Sequence, residues 1–376
     1  MFTRKSLTDW LVRLLLMTLL MALVACGGET TEPTLEPAVE EPVAEEPTEE
    51  PMDEEPTEEP MDEEPAAEDQ PSGSIELYTS ESEDKVSEMV IDFNEQYQDV
   101  QVNVFRSGTG EVTAKLQAEE QAGDIQADII WFADIDFFAA MAERDLLLSY
   151  MPVGGDLVSD EYHYDDNRYH EVRLIFNVIA YNTDILDEPP TGWNDLIDPT
   201  HEGAVGMPSP LYSGAAFGQV GTFASMDEFG WEYFEQLEAN GVGVEQGNGA
   251  VANKLASGEY EIALLVDFFA RSLKLEGSPI DHIWPEDGAV LIPTPIGILK
   301  DTENAPAAQA FLDYMYTESA QNLFVEQSYV AVLPGMPSPE GAPDMADLTI
   351  VPLNVEYINQ NRDEIRQNFV DLFGEG

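Results

Sequence analysis

From residue 75 onward the apolar positions change period repeatedly, and the changes divide the chain into elements. In "SIELYTS" apolar and polar residues alternate as in a strand, whereas in "EDKVSEMVIDFNEQYQ" Val86, Met89, Val90 and Phe93 recur at helical spacing. "VQVNVFRSG" is the next strand, and "GEVTAKLQAEEQAG" the next helix, stopping at Gly123. "ADIIWFAD" is almost wholly apolar, as expected of a parallel strand covered on both faces. "DFFAAMAERDLL" returns to helical spacing. Alternation of this regularity predicts right-handed crossovers and a mainly parallel sheet flanked by helices.

A second unit begins near "LIFNVIAYNTDIL". It adds a strand at "GAVGMPSP", a helix opening at Ser213, a longer helix around "FGWEYFEQLEAN" and a strong strand in "EIALLVDFF". "AVLIPTPIGILK" carries Pro293 and Pro295, which marks an edge or crossing segment. A helix over "APAAQAFLDYMYTESAQNLFVEQ" and a closing one ending "NRDEIRQNFVDLF" complete the pattern. A body of about 300 residues is long for one core and suits two α/β lobes. The expected division is 74–176 with 291–340 in lobe 1 and 177–290 with 341–376 in lobe 2, with crossings near 172–180, 290–296 and 338–346.

Ahead of the body, Arg4, Lys5 and Arg13 accompany a leucine-rich run too short for an ordinary membrane span, closing on Cys26. Small residues before a cysteine resemble a bacterial lipoprotein signal over 1–26, with lipid on Cys26 and an extracytoplasmic, membrane-anchored location. A cleaved signal peptide with an incidental cysteine is the alternative. Cys26 is the only cysteine, so neither an internal disulfide nor a cysteine-cluster metal site can form. Residues 27–73 hold 19 Asp or Glu and no Lys or Arg, and the nonapeptide "EEPTEEPMD" occurs at 45–53 and again at 54–62. Such a segment has too little apolar surface to offset its ordering entropy, so a disordered, extended stalk is expected. The body carries 55 Asp or Glu against 12 Lys or Arg, which makes nucleic acid and anionic membrane surfaces poor partners.

In sheets of this kind, ligands gather beyond the carboxyl ends of the strands. The candidate binding residues are therefore Ser80 after the first strand, and Ser107, Gly108, Thr109 and Gly110 after the second. Trp131 and Asp134 follow at the third strand, with Ser209, Tyr212, Ser213, Gly214, Ala215 and Asp267 in the second unit. "RSGTGE" and "SPLYSGAAFGQ" each bring small residues to a helix start, where free N–H groups and the dipole favour an anion. An ordinary capped turn would use the same residues. Asp134 and Asp267 suit an amine or sugar hydroxyls, with Trp131 or Tyr212 stacking on the ligand; a strand edge in solvent is the other account of Asp267. No G-x-S-x-G elbow, Walker loop or H-E-x-x-H helix occurs, and His163, His170, His201 and His282 are scattered. No metal site, cofactor or catalytic residue is assigned. A secreted carboxylate-dependent hydrolase and an adhesive surface module remain as rivals from other classes.

"IELYTSES", "ADIIWFAD", "VIAYNTD", "GWNDLIDPTHEGAVGMPSPLYSGAA", "NKLASGEYEIALLVD", "PEDGAVLIPTPIGILK" and "AAQAFLDYM" together resemble a solute-binding protein of a bacterial ABC importer, in the family that includes ferric-ion-binding proteins. The resemblance implies a type II periplasmic-binding fold, two hinge-joined α/β lobes closing on a small-molecule solute. It also implies a monomeric, non-enzymatic receptor that passes the solute to a membrane permease. Iron-binding members typically place two adjacent tyrosines where Phe268 and Phe269 stand here, a histidine at the position of Ser82, and a carboxylate matched by Ala133. The resemblance thus implies an organic solute rather than iron, with a ferric-ion receptor as the alternative, and looks most like aminoalkylphosphonate receptors. Asp267 is expected to face the cleft.

Overall fold

Alternation along the sequence becomes layering in space. The computed structural model describes residues 70–374, so the signal segment, Cys26 and nearly all of the acidic stalk lie outside the described residues. The chain runs β1 (Gly73–Thr79), α1 (Glu83–Gln96), β2 (Val100–Arg106), α2 (Thr109–Ala122), β3 (Ile129–Trp131) and α3 (Ile135–Glu143). Val86, Met89 and Phe93 form the buried stripe of α1, as their spacing requires. Helix α2 stops where Gly123 adopts a left-handed φ of 81°. Next come β4 (His163–Tyr164), β5 (Tyr169–His170), β6 (Arg173–Asn182), β7 (Val205–Pro208), α4 (Gly214–Ala224), α5 (Gly230–Ala239), β8 (Gly243–Glu245) and α6 (Asn248–Ser257). They are followed by β9 (Ile262–Val266), α7 (Asp267–Leu275), β10 (Ile280–Ile283), β11 (Ala289–Ile292) and β12 (Ile296–Ile298). Helices α8 (Ala305–Tyr314) and α9 (Glu318–Glu326), strands β13 (Val330–Ala331) and β14 (Ile350–Val351), and helix α10 (Val355–Phe373) complete the described chain.

Two sheets result. The first has the order β2-β1-β3-β12-β5-β4, and the second β14-β11-β6-β9-β7-β8, with β10 and β13 also pairing with β6. Both are mixed, where the strand–helix alternation predicts mainly parallel pairing. β1 pairs in parallel with β2 and β3, but β12 runs antiparallel to β3. In the second sheet β6 is antiparallel to β9, β10, β11 and β13. The reason is the crossing chain: strands that return from the other sheet enter from the opposite end, and no helix connection constrains their direction.

Three links join the sheets. The first is the short step from His170 to Arg173, so β6 lies wholly in the second sheet and the first crossing is shorter than expected. The second is Pro293–Thr294–Pro295, which splits "AVLIPTPIGILK" between the sheets, consistent with prolines that cannot donate to a ladder. The third runs from β12 through α8 and α9 to β13, not near 338–346 as expected; residues 332–349 join β13 to β14 within the second sheet, after which α10 packs on α4. β6 is buried along nearly its whole length because strands flank it on both sides. Among the described residues no helix is long and apolar enough to cross a membrane.

Candidate functional site

A cleft of about 370 Å³ opens between the two sheets, at the carboxyl ends of β1, β2, β7 and β9. Five helix openings contribute to its wall: Ser82 before α1, Gly108 and Thr109 at α2, Ser213 to Ala215 at α4, Gly247 to Ala250 at α6, and Phe268 with Phe269 in the first turn of α7. Each opening leaves first-turn N–H groups without intrahelical acceptors and carries the positive end of the helix dipole. Five converging openings favour negative charge in the cleft despite the acidity of the body, because the local potential is set by nearby dipoles.

The floor is built around Arg173, at the start of β6 and only 1% exposed. Its Nη2 forms an ion pair with Glu81, and its guanidinium stacks 3.9 Å from the Tyr329 ring and 5.1 Å from Trp131. Tyr329 donates in turn to the other oxygen of Glu81, at 3.1 Å. Arg173 Nε and Nη1 are buried without a partner, and so is the Thr294 hydroxyl in the neighbouring link. Both residues line the cleft. Orphaned buried donors are costly, so they mark where a ligand oxygen belongs. Arg106 stands exposed on the same wall, its Nε donating to Glu81 O at 2.8 Å. Beneath them Glu171 accepts from Thr294 N at 2.9 Å, and burial pushes its carboxyl up to about 8.

The sheets' helices touch across the cleft. Gly110 N donates to Tyr212 O at 3.4 Å, and a Cβ on Gly110 would sit 2.2 Å from Leu211 O. A Cβ on Gly214 would fall 1.8 Å from Ala133 O. These glycines permit a backbone-to-backbone approach that no other residue allows in this arrangement.

Of the residues singled out in the sequence, Ser80, Ser107, Gly108, Thr109, Tyr212, Ser213, Gly214 and Ala215 line the cleft. Gly110 does not; it serves the contact just described. Ser209 is fully buried, its Oγ accepting from Leu211 N at 3.3 Å. Trp131 lies under the floor, 2% exposed, with Nε1 donating to Thr294 O at 3.1 Å, so it supports Arg173 instead of stacking on a ligand. Asp134 caps α3 by accepting from Phe137 N at 3.1 Å, and both its oxygens bind Arg362 of α10. Asp267 does not face the cleft. It is the first residue of α7, fully buried, with Oδ1 accepting from Phe176 N at 2.9 Å and Oδ2 paired with Arg271 at 2.5 Å. Sequence reasoning passed over Arg173, Arg106, Thr294 and the α6 opening, "QGNGA". The alternation of glycine with amides in that segment was its only signal.

Ser82, Ala133, Phe268 and Phe269 all lie on the cleft wall, offering a hydroxyl, a methyl and two phenyl rings. None is a strong ligand for a hard cation. Among the described residues no group of three or more His, Cys, Asp or Glu is placed to hold a metal ion.

Residues 124–361 match the family described as bacterial extracellular solute-binding protein. The chain belongs to that family. A Haemophilus influenzae protein of uncharacterised role is 27% identical over 248 residues, covering 62% of this chain and 70% of its own length. A Salmonella paratyphi A protein bearing the name "Putative 2-aminoethylphosphonate-binding periplasmic protein" is 24% identical over 241 residues, covering 61% of this chain and 67% of that one. Among solved structures, the periplasmic binding protein AfuA of Actinobacillus pleuropneumoniae with fructose-6-phosphate bound superposes with a TM-score of 0.73. It is 22% identical and covers 81% of this chain and all of its own. Iron-bound HitA of Pseudomonas aeruginosa gives 0.70 at 21% identity, covering 80% and 99%. The fold is therefore that of two-lobed type II periplasmic binding proteins, and this solute-binding protein works outside the cytoplasm, delivering a small molecule to an ABC-transporter permease.

Proposed function

We propose that the solute is a small organic anion of the phosphate-ester or phosphonate type, whose charged head sits over Arg173 between the helix openings of α2, α4 and α6. The observation that carries this reading is the buried Arg173, with two donors unmatched at the floor of a cleft walled by helix N-termini. A planar guanidinium fits the tetrahedral oxygens of such a head with paired hydrogen bonds. The Salmonella relative named for aminoethylphosphonate and AfuA with its sugar phosphate support the class.

The rest of the ligand meets Ser80, Tyr212, Gln246 and Asn248, together with Phe268 and Phe269. Asp134 and Asp267 are engaged in ion pairs elsewhere, and Glu81 is taken by Arg173. The hydroxyl and amide groups favour a polyol phosphate, while Glu111, which also lines the cleft, accepts from Ser107 Oγ and forms no ion pair among the described residues, leaves a partner for an amine. The protein binds without turning its solute over, and lipid on Cys26 would tether it to the membrane, with the acidic stalk as spacer. Release of a Cys26→Ser variant from the membrane fraction is the expected result for that anchor.

Calorimetric titration of the full chain with fructose 6-phosphate, glycerol 3-phosphate, 2-aminoethylphosphonate, spermidine and ferric citrate tests the ligand class. An organic phosphate should bind most tightly and be recovered unchanged. Tight ferric binding with a visible charge-transfer band, or recovery of a cleaved product, would overturn the reading.

A further inference from the structure

A second buried arginine, behind the cleft, leaves nitrogen atoms without partners. Arg271 on α7 donates from Nε and Nη2 to Ser328 O, at 3.2 and 2.6 Å, and from Nη2 to Asp267, while Nη1 has no partner. His282 at the end of β10 and Trp284 just beyond it close on the same guanidinium. The Trp284 ring lies 6.0 Å from Arg271 Cζ and 6.0 Å from the His282 ring. Both ring nitrogens of His282 and Nε1 of Trp284 are also buried without a hydrogen bond. Arg271 and His282 expose only 1% and 4% of their side chains. Gly341 covers the gap: a Cβ there would stand 3.6 Å from Arg271 Cδ and 4.0 Å from His282 Cε1. Gly341 belongs to the 332–349 segment that joins β13 to β14.

The unmet demand is almost entirely for an acceptor. Arg271 Nη1 carries two N–H bonds, Trp284 one and a neutral imidazole one, against a single imidazole lone pair. One water has two lone pairs and brings two further hydrogens that need acceptors of their own. The carboxylates nearby are already committed: Asp267 to Arg271 and Phe176 N, and Asp281, 3.7 Å from His282 Nδ1, to Lys274 at 2.7 Å. An anion accepts hydrogen bonds without bringing hydrogens of its own, and it returns to the guanidinium a negative partner beside its unpaired Nη1.

We propose that the Arg271–His282–Trp284 pocket binds a small inorganic anion of the halide class, which holds the 332–349 segment down on the second sheet. The site is separate from the solute cleft, on the far side of the first turn of α7. Crystals of the full chain grown in bromide and measured at the bromine edge should show an anomalous peak among these three side chains. In solution, chloride should raise the melting temperature above that in gluconate at equal ionic strength. Trp284→Phe keeps the ring and removes one donor, so the chloride concentration for half-maximal effect should rise on the order of tenfold, the loss of one charge-assisted hydrogen bond. An ordered water in place of the peak would overturn the proposal. So would a bromide peak with no chloride-specific stabilisation, or a chloride effect that Trp284→Phe leaves unchanged.

Discussion

Arg173 and Arg271 are alike in burial, each about 1% exposed and each bound to a carboxylate, yet only Arg173 belongs to the cleft. The difference lies in where the helix after each strand begins. Glu81 sits in the turn between β1 and α1, so its carboxylate stays on the cleft side and holds Arg173 there. Asp267 is already the first residue of α7 and follows β9 with no turn between. Its side chain turns back toward Phe176 N and reaches Arg271 one helical turn on. Of these two acids, the one in the turn stays on the cleft side and the one that opens the helix serves the helix, as Asp134 also does by capping α3.

The comparison breaks most visibly at Asp267. Asp267→Ala leaves Arg271 buried without its counter-charge and Phe176 N without an acceptor, and should cost about 3–5 kcal/mol in urea unfolding. Solute affinity of the folded fraction should hardly change. A variant of native stability that no longer binds solute would invert the roles assigned here.

Glu171 sharpens the contrast, because this acid beside Arg173 makes no ion pair among the described residues and is held neutral by burial, up to about 8 from 4.5. Between those values the unfolded chain has lost the proton while the folded chain keeps it, so this group's contribution to stability falls as pH rises. Relative to wild type, Glu171→Gln should gain stability by a few kcal/mol between pH 4.5 and 8. Parallel stability curves for the two proteins across that window would show that the carboxyl ionises normally.

The smallest effect is expected at the cleft itself. Arg173→Lys keeps the charge but loses the planar fork, and should weaken organic-phosphate binding about tenfold, or about 1.4 kcal/mol. Calorimetry reads this directly. Its stability loss should stay well below that of Asp267→Ala, since Glu81 keeps a cation.

Much of this was legible in the sequence. The buried stripe of α1, the Gly123 stop and the helix openings at Thr109 and Gly214 follow from spacing and turn chemistry, which act over a few residues. The mixed sheets were not legible, because strand direction in β6 and β12 depends on which sheet the chain enters, a long-range fact. Asp267 misled because α7 starts directly after β9, without a turn like residues 80–82 between β1 and α1, and this carries its side chain away from the cleft. Arg173 escaped notice because it heads a strand instead of ending one, and its partner Glu81 lies 92 positions earlier in the chain.

The glycine contact at the mouth of the cleft also fixes the tolerance of the receptor. Where Gly214 meets Ala133 O and Gly110 meets Leu211 O, main chain already stands against main chain, with no room for a closer approach. Backbone does not yield by changing rotamer, so the lobes share a hard stop at one spacing. A solute too short to span that spacing leaves its far end ungripped, and one too long holds the stop open. The contact then acts as a length gauge, set by Gly110 outside the cleft lining and by Gly214 within it.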